Sequence, residues 1–170
     1  MTFAGEDDTR VKVAFPINPK LEVLIDLIES MPNDAKIVIF HHFVYTNELI
    51  SNRLKELKIG YARIWGGARD PIGELRRFKT ERNCKALVIN DRSGSSSLNL
   101  QNASYLVFFE QPDDPISRSQ GEARVWRPGQ KNRVLIYDLL VRQTKDHALW
   151  QSNKAGEDLL KSIVGGQTKL

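Results

Sequence analysis

Short runs that are apolar almost throughout alternate along the chain with stretches in which apolar residues recur every three or four positions. Lys36-Ile-Val-Ile-Phe40, Tyr61 to Trp65, Ala86-Leu-Val-Ile89, Tyr105-Leu-Val-Phe-Phe109 and Val134-Leu-Ile-Tyr137 read as buried strands. Between them, Leu21, Leu24, Ile25 and Ile28 share one helical face, ended by Met31-Pro32-Asn33-Asp34. Leu49, Ile50, Leu54 and Leu57 carry a second helix that stops near Gly60. Asp70-Pro71 opens a third, with proline in its first turn and a stripe of Ile72, Leu75 and Phe78. Pro115 to Val125 reads as a fourth, stopped by Pro128-Gly129. Asp146 to Val164 reads as a closing helix, interrupted or weakened at Gly156, and Val11 to Phe15 as a short strand or entry segment.

Strands without polar alternation predict a sheet covered on both faces, and such sheets are parallel, with right-handed helical crossovers. The expected fold is therefore α/β, a doubly wound, mainly parallel sheet with helices on both faces. A chain of 170 residues suits one core. The domain is placed at residues 16–164, with a partly flexible leader at 1–15 and a flexible tail at 165–170.

Composition narrows the classes. No apolar run approaches the roughly 20 residues that cross a bilayer, and the start Met-Thr-Phe-Ala-Gly-Glu-Asp-Asp lacks the parts of a signal peptide. One cysteine, Cys84, makes no internal disulfide, so a cytoplasmic, reducing setting without membrane contact is expected. His41-His42 with Cys84 lacks the ligand spacing of a metal site, and none is expected. Asn102-Ala-Ser104 is a glycosylation sequon that no secretion signal supports. The net charge of +4 permits a polyanionic partner without demanding one.

In an open α/β sheet ligands gather at the carboxyl ends of the strands. The segments expected there are His41-His42-Phe43, Gly66 to Arg69, Asp91 to Ser97 and Glu110 to Ser119. On the helix from Pro115, Gln120, Arg124 and Arg127 follow at spacings of four and three, which would put all three on one face. Adjacent guanidiniums repel, so such a face meets phosphates or carboxylates. Asp114 and Glu122 offer an internal answer, and a solvated or ion-paired basic face stays open beside a phosphate-binding one.

The set as a whole resembles the second RecA-like lobe of superfamily-two helicases of the Swi/Snf type, from about Lys36 to Trp150. Lys36-Ile-Val-Ile-Phe-His-His-Phe43 is similar to motif IV, an apolar strand followed by Ser-Gln-Phe. Tyr61-Ala-Arg-Ile-Trp-Gly-Gly67 with Arg76-Arg-Phe78 resembles the Leu-Asp-Gly stretch and its helix ending in phenylalanine. Asn90-Asp-Arg-Ser-Gly-Ser-Ser-Ser-Leu-Asn-Leu100 resembles motif V, Ser-Thr-x-Ala-Gly-Gly-x-Gly-Ile-Asn-Leu. Gln120-Gly-Glu-Ala-Arg-Val-Trp-Arg-Pro-Gly-Gln130 matches motif VI, Gln-Ala-x-x-Arg-x-x-Arg-x-Gly-Gln, at every spacing, and is the specific part.

The resemblance implies a motor lobe that completes an ATP site shared with an N-terminal RecA-like lobe and touches the duplex DNA backbone. Arg127 is then the arginine finger and Arg124 its partner, with Gln120 holding the geometry between lobes. His41, Asp91, Arg92, Ser93, Gly94 and Ser95 would lie along the tracked strand. ATP and Mg2+ would be held mainly by the other lobe, since neither a Gly-x4-Gly-Lys-Ser/Thr loop nor an Asp-Glu-x-His-type motif occurs here. This chain alone is thus expected not to hydrolyse ATP. Motif V departs from the pattern: Ser95 and Ser97 replace glycines, Asp91 a hydroxyl residue, and in motif IV His41 replaces serine. These departures leave open a degenerate lobe that binds nucleic acid or protein without an ATPase role. An RNA helicase lobe is a third reading, against which the Arg-x-Gly-Gln ending speaks.

Overall fold

The apolar runs assemble into one sheet. The computed structural model describes residues 2–4, 10–12, 18–93, 98–128, 130 and 133–166. The strands of the main sheet are β3 (Ile37–His41), β4 (Gly60–Ile64), β5 (Cys84–Asn90), β6 (Tyr105–Phe108) and β7 (Leu135–Asp138). They lie in the order β4-β5-β3-β6-β7, and every neighbouring pair is parallel. The helices are α1 (Pro19–Ser30), α2 (Val44–Glu56), α3 (Pro71–Thr80), α4 (Pro115–Val125) and α5 (Lys145–Gly166). A separate antiparallel pair joins β1 (Thr2–Ala4) to β2 (Arg10–Lys12). Both segments of this pair fall within residues 1–15.

Alternation along each strand divides the core in two. Ile37 and Ile39 face a cluster closed by Leu21, Leu24, Ile25 and Ile28 of α1 and Ile50 and Leu54 of α2. Val38 and Phe40 face the opposite cluster, with Phe78 of α3 and Val125 of α4. Both faces are dry, which is why the strands read as unbroken apolar runs. Each fully buried Phe or Ile contributes about 1.5–3 kcal/mol over leaving it exposed.

Helix starts follow one local rule. Asn18, Asp70 and Asp114 accept from Leu21 N, Gly73 N and Ser117 N, and a proline follows each in the first turn. The side chain answers an orphan N–H and the ring presets φ; losing such a cap costs about 1 kcal/mol. α2 has no side-chain cap of its own. Glu110, from the end of β6, does that work, accepting from His42 N at 2.9 Å, Phe43 N at 3.0 Å and Thr46 Oγ1 at 2.6 Å.

Two expectations are corrected. α5 runs unbroken through Gly156, whose missing side chain lets Pro115 approach; a Cβ there would lie 2.3 Å from Pro115 Cγ. α4 ends at Val125, so Arg127 lies beyond the helix. The residue before proline disfavours helical backbone, and Arg127 precedes Pro128. No helix among the described residues is long and apolar enough to cross a membrane.

Candidate functional site at the carboxyl edge of the sheet

The turns after β3, β5 and β6 meet at the carboxyl edge, beneath α4. Main-chain bonds hold them in place: Asp91 N donates to His41 O and Phe109 N to Phe40 O, both at 2.9 Å. Asn90 Nδ2 donates to His42 O at 2.7 Å.

The two histidines of the first turn separate completely. His41 is 0% exposed; its Nδ1 donates to Phe43 O at 3.0 Å and its Nε2 accepts from Asn47 Nδ2 at 3.0 Å. Burial pushes its pKa down to about 4, against small upward pulls from the Phe43 carbonyl and Asp91. The ring is neutral and fully engaged inside the core, where the resemblance implies a place along the tracked strand. His42 is partly buried, its side chain 11% exposed between two carboxylates. Its Nδ1 lies 2.8 Å from Asp91 Oδ2 and its Nε2 3.4 Å from Asp113 Oδ2.

Asp91 therefore spends one oxygen on His42, while its Oδ1 is buried without a hydrogen bond. Arg92 is mostly exposed and its Nη2 donates to Asp113 at 2.8 Å. Ser93 N donates to Asn90 O at 3.0 Å, closing the first turn of the loop. Gly94 and Ser95 lie outside the described residues.

α4 carries the arginines across two stacked rings, Phe40 and Phe108, whose centroids are 5.5 Å apart. Its buried residues are Arg118, Gly121, Arg124 and Val125. The Arg124 guanidinium sits 5.7 Å from the Phe40 centroid and the residue is only 5% exposed, yet its Nε and Nη1 have no hydrogen-bond partner among the described residues. Burial depresses its pKa first and the charge of Arg127 second, with Asp91 opposing both. An arginine remains charged under such shifts. Arg127 is half-buried, and its Nε folds back to Ala123 O at 2.8 Å. Gln120 is exposed. Gln120 and Arg124 thus keep the four-residue spacing of one helical side, with Gln120 exposed and Arg124 buried, whereas Arg127 lies beyond the helix end.

Neither acidic residue offered as an internal answer reaches Arg124. Asp114 caps α4 and binds Ser117, which holds its carboxyl below the usual range. Glu122 pairs with Arg118 at 3.0 Å. The closing Gln130 is a tether: its Nε2 donates to the carbonyls of Gln101, Ala103 and Val125 at 3.0 to 3.3 Å. Gln101 Nε2 returns a bond to Pro128 O at 3.1 Å.

Chemically, a buried guanidinium with unanswered donors is poised for an anion. Oxygen-rich anions such as phosphates fit its planar donor set. Among the described residues no group of three or more His, Cys, Asp or Glu could hold a metal ion. His42, Glu110, Asp113 and Arg118 fall in segments expected at this edge, but sequence reasoning gave none of them an individual role.

Comparison with known proteins agrees with this layout. Residues 19–129 match the family model described as helicase conserved C-terminal domain. Protein CHROMATIN REMODELING 25 of Arabidopsis thaliana is 28% identical over 159 residues, covering 89% of this chain and 17% of that protein. DNA repair and recombination protein RAD54B of Gallus gallus is 28% identical over 153 residues, covering 85% and 16%. A SWI/SNF-related matrix-associated actin-dependent regulator of chromatin, subfamily A-like protein 1, of Drosophila melanogaster is 28% identical over 130 residues, covering 75% and 17%. The chain thus spans about a sixth of these curated relatives. The crystal structure of the C-terminal part of the Fun30 ATPase domain superposes with a TM-score of 0.72 at 22% identity, covering 79% of this chain and 45% of that one. That likeness is one of fold, the RecA-like α/β arrangement.

Proposed function

The chain belongs to the helicase conserved C-terminal domain family, and from that premise we propose that it is the second lobe of an ATP-driven motor on duplex DNA. The observation that carries the reading is Arg124: buried, charged and without a hydrogen-bond partner at Nε and Nη1. A guanidinium left so in a folded core is costly unless an anion completes it.

ATP supplies a phosphoanhydride whose γ-phosphoryl oxygens accumulate charge as the bond breaks. Arg124 is placed to bind that charge from within the fold, in a setting where little water competes. Arg127, outside the helix and held among the described residues through its Nε, offers its Nη groups as the arginine finger. Gln120, exposed one turn earlier, orients the facing lobe. The nucleic-acid edge runs through Arg92 and Ser93 and on to Gly94 and Ser95, with Arg92 giving the phosphate contact. Asp91 shapes that loop through His42 and does not itself meet phosphate. The N-terminal RecA-like lobe is the partner that holds most of the ATP and the Mg2+, and the chain alone hydrolyses no ATP. An intracellular site of action accompanies this reading.

The test joins the chain to its natural N-terminal lobe and follows DNA-stimulated ATP hydrolysis. Arg127→Ala and Arg124→Ala are each expected to lower kcat by roughly 10³ to 10⁵. Hydrolysis untouched by both substitutions would sink the reading. DNA binding retained without hydrolysis in the parent protein would instead favour a lobe kept as a binding module, for which the carboxylate of Asp91 in the loop is the specific support.

A further inference from the structure

Arg118 is the largest fully buried side chain among the described residues, 1% exposed, and the proposed chemistry does not use it. Its Nη1 donates to Asp138 Oδ1 at 2.6 Å and its Nη2 to Asp138 Oδ2 at 3.1 Å, a forked pair between α4 and β7. Nη1 also donates to Gln111 Oε1 at 2.8 Å, and Nη2 lies 3.0 Å from Glu122 Oε1. The guanidinium rests 4.4 Å from the Phe108 ring centroid. Asp138 accepts further from Gln111 Nε2 and from Trp150 Nε1 of α5, each at 3.0 Å. Burial pushes the Asp138 carboxyl up, but Arg118 with Gln111 and Trp150 outweighs it and holds the pKa below the usual range.

The remainder of the α4 interface explains why such a pair is needed. Of its four buried residues only Val125 is an apolar side chain; a Cβ at Gly121 would lie 3.5 Å from the Phe108 and Phe40 rings, a contact that the glycine leaves unmade. A glycine on flat rings offers no knob that would stop a helix from sliding or turning. Ion pairs are a weak source of stability but a directional one, and a fork fixes both distance and angle. Arg124 lies six residues along the same helix, about 9 Å at 1.5 Å per residue.

We infer that the Arg118–Asp138 pair is a positioning device that sets the register of α4 on the phenylalanine rings and so the pose of the Arg124 guanidinium. The effect on hydrolysis rests on Arg124 acting on phosphate, as proposed above; the effect on its pose does not.

Two measurements separate these. In the 170-residue chain, the Nε–Hε resonance of Arg124 is followed by NMR in Asp138→Asn, in Arg118→Lys and in the double substitution Arg118→Met with Asp138→Leu. The resonance is expected to shift or broaden in all three, least in Arg118→Lys, which keeps the charge but loses the fork. In the two-lobe protein, the double substitution is expected to lower kcat about tenfold with the KM for ATP within about twofold, as a displaced catalytic group does. Apolar replacement of a buried pair is commonly tolerated, so the double variant keeps the positioning test apart from loss of fold. A folded double variant with parental kcat and an unmoved Arg124 resonance overturns the inference. If Arg124→Ala itself leaves hydrolysis intact, the functional reading fails while the resonance still decides the positioning role.

Discussion

Arg118 and Arg124 lie on one helix, both withdrawn from solvent and both resting on a phenylalanine ring, yet their surroundings differ in kind. Around Arg118 stand Asp138, Glu122 and Gln111, and its charge is spent inside the fold. Near Arg124 no carboxylate comes within ion-pair distance among the described residues, and two of its nitrogens bond to nothing. Burial alone therefore does not single out an arginine for the proposed role; burial without a partner is what distinguishes Arg124. The histidine pair gives the same lesson in reverse. His41, buried and satisfied at both nitrogens, belongs to the core, whereas His42 lies between two carboxylates at the edge.

The largest expected effect breaks the comparison on function. With the N-terminal lobe present, Arg124→Ala is expected to reduce kcat for ATP by roughly 10³-fold or more. Arg124→Met, which keeps the stem and drops the unpaired charge, should leave the thermal midpoint of the chain equal to or above the parent's, as read by calorimetry.

The converse holds for its neighbour. Arg118→Ala strands Asp138 in the interior and is expected to destabilise the chain by about 3–5 kcal/mol in denaturant unfolding. Comparable losses from Arg118→Ala and Arg124→Met would erase the distinction between them.

Acid sharpens the histidine contrast. His41 has a folded pKa of about 4, below the value near 6.5 of an unfolded histidine. The unfolded chain takes up the proton first, so the stabilisation from a neutral His41 is complete above about pH 6.5 and is lost as pH falls toward 4. The loss is about 3 kcal/mol in that window, and His41→Asn should flatten it in unfolding measured against pH. Asp138 acts lower on the scale: its depressed pKa makes its stabilisation present above the ordinary carboxylate range and lost as pH falls below it. The smallest effect belongs to Trp126, which is 71% exposed beside the arginines. Trp126→Ser is expected to change unfolding free energy by less than about 0.5 kcal/mol.

Much of this was legible from local pattern. The five strands, the Asx-proline start of α3 and the spacing of Gln120 to Gln130 each depend on residues a few positions apart. The end of β3 was not legible at the resolution that matters. Both faces of the sheet are covered, so alternation cannot distinguish inside from outside. What buries His41 fully and leaves His42 at the edge is the register, in which His41 is the last residue paired to β5, opposite Asn90. The continuity of α5 was missed for a related reason: glycine weakens an isolated helix, but Gly156 is where Pro115 packs.

Sequence alone determined the class of fold, the family resemblance and the identity of the two motif arginines, because caps, proline geometry and apolar periodicity act over single turns. Only tertiary structure decided which basic residue is spent and which is open. Arg118 finds Asp138 twenty residues on and Gln111 seven residues back, because β6 and β7 are neighbours in the sheet. Arg124, six residues further along the same helix, passes beyond their reach. Strand order sets that difference, and strand order is a property of the whole packed chain that no short window of residues contains.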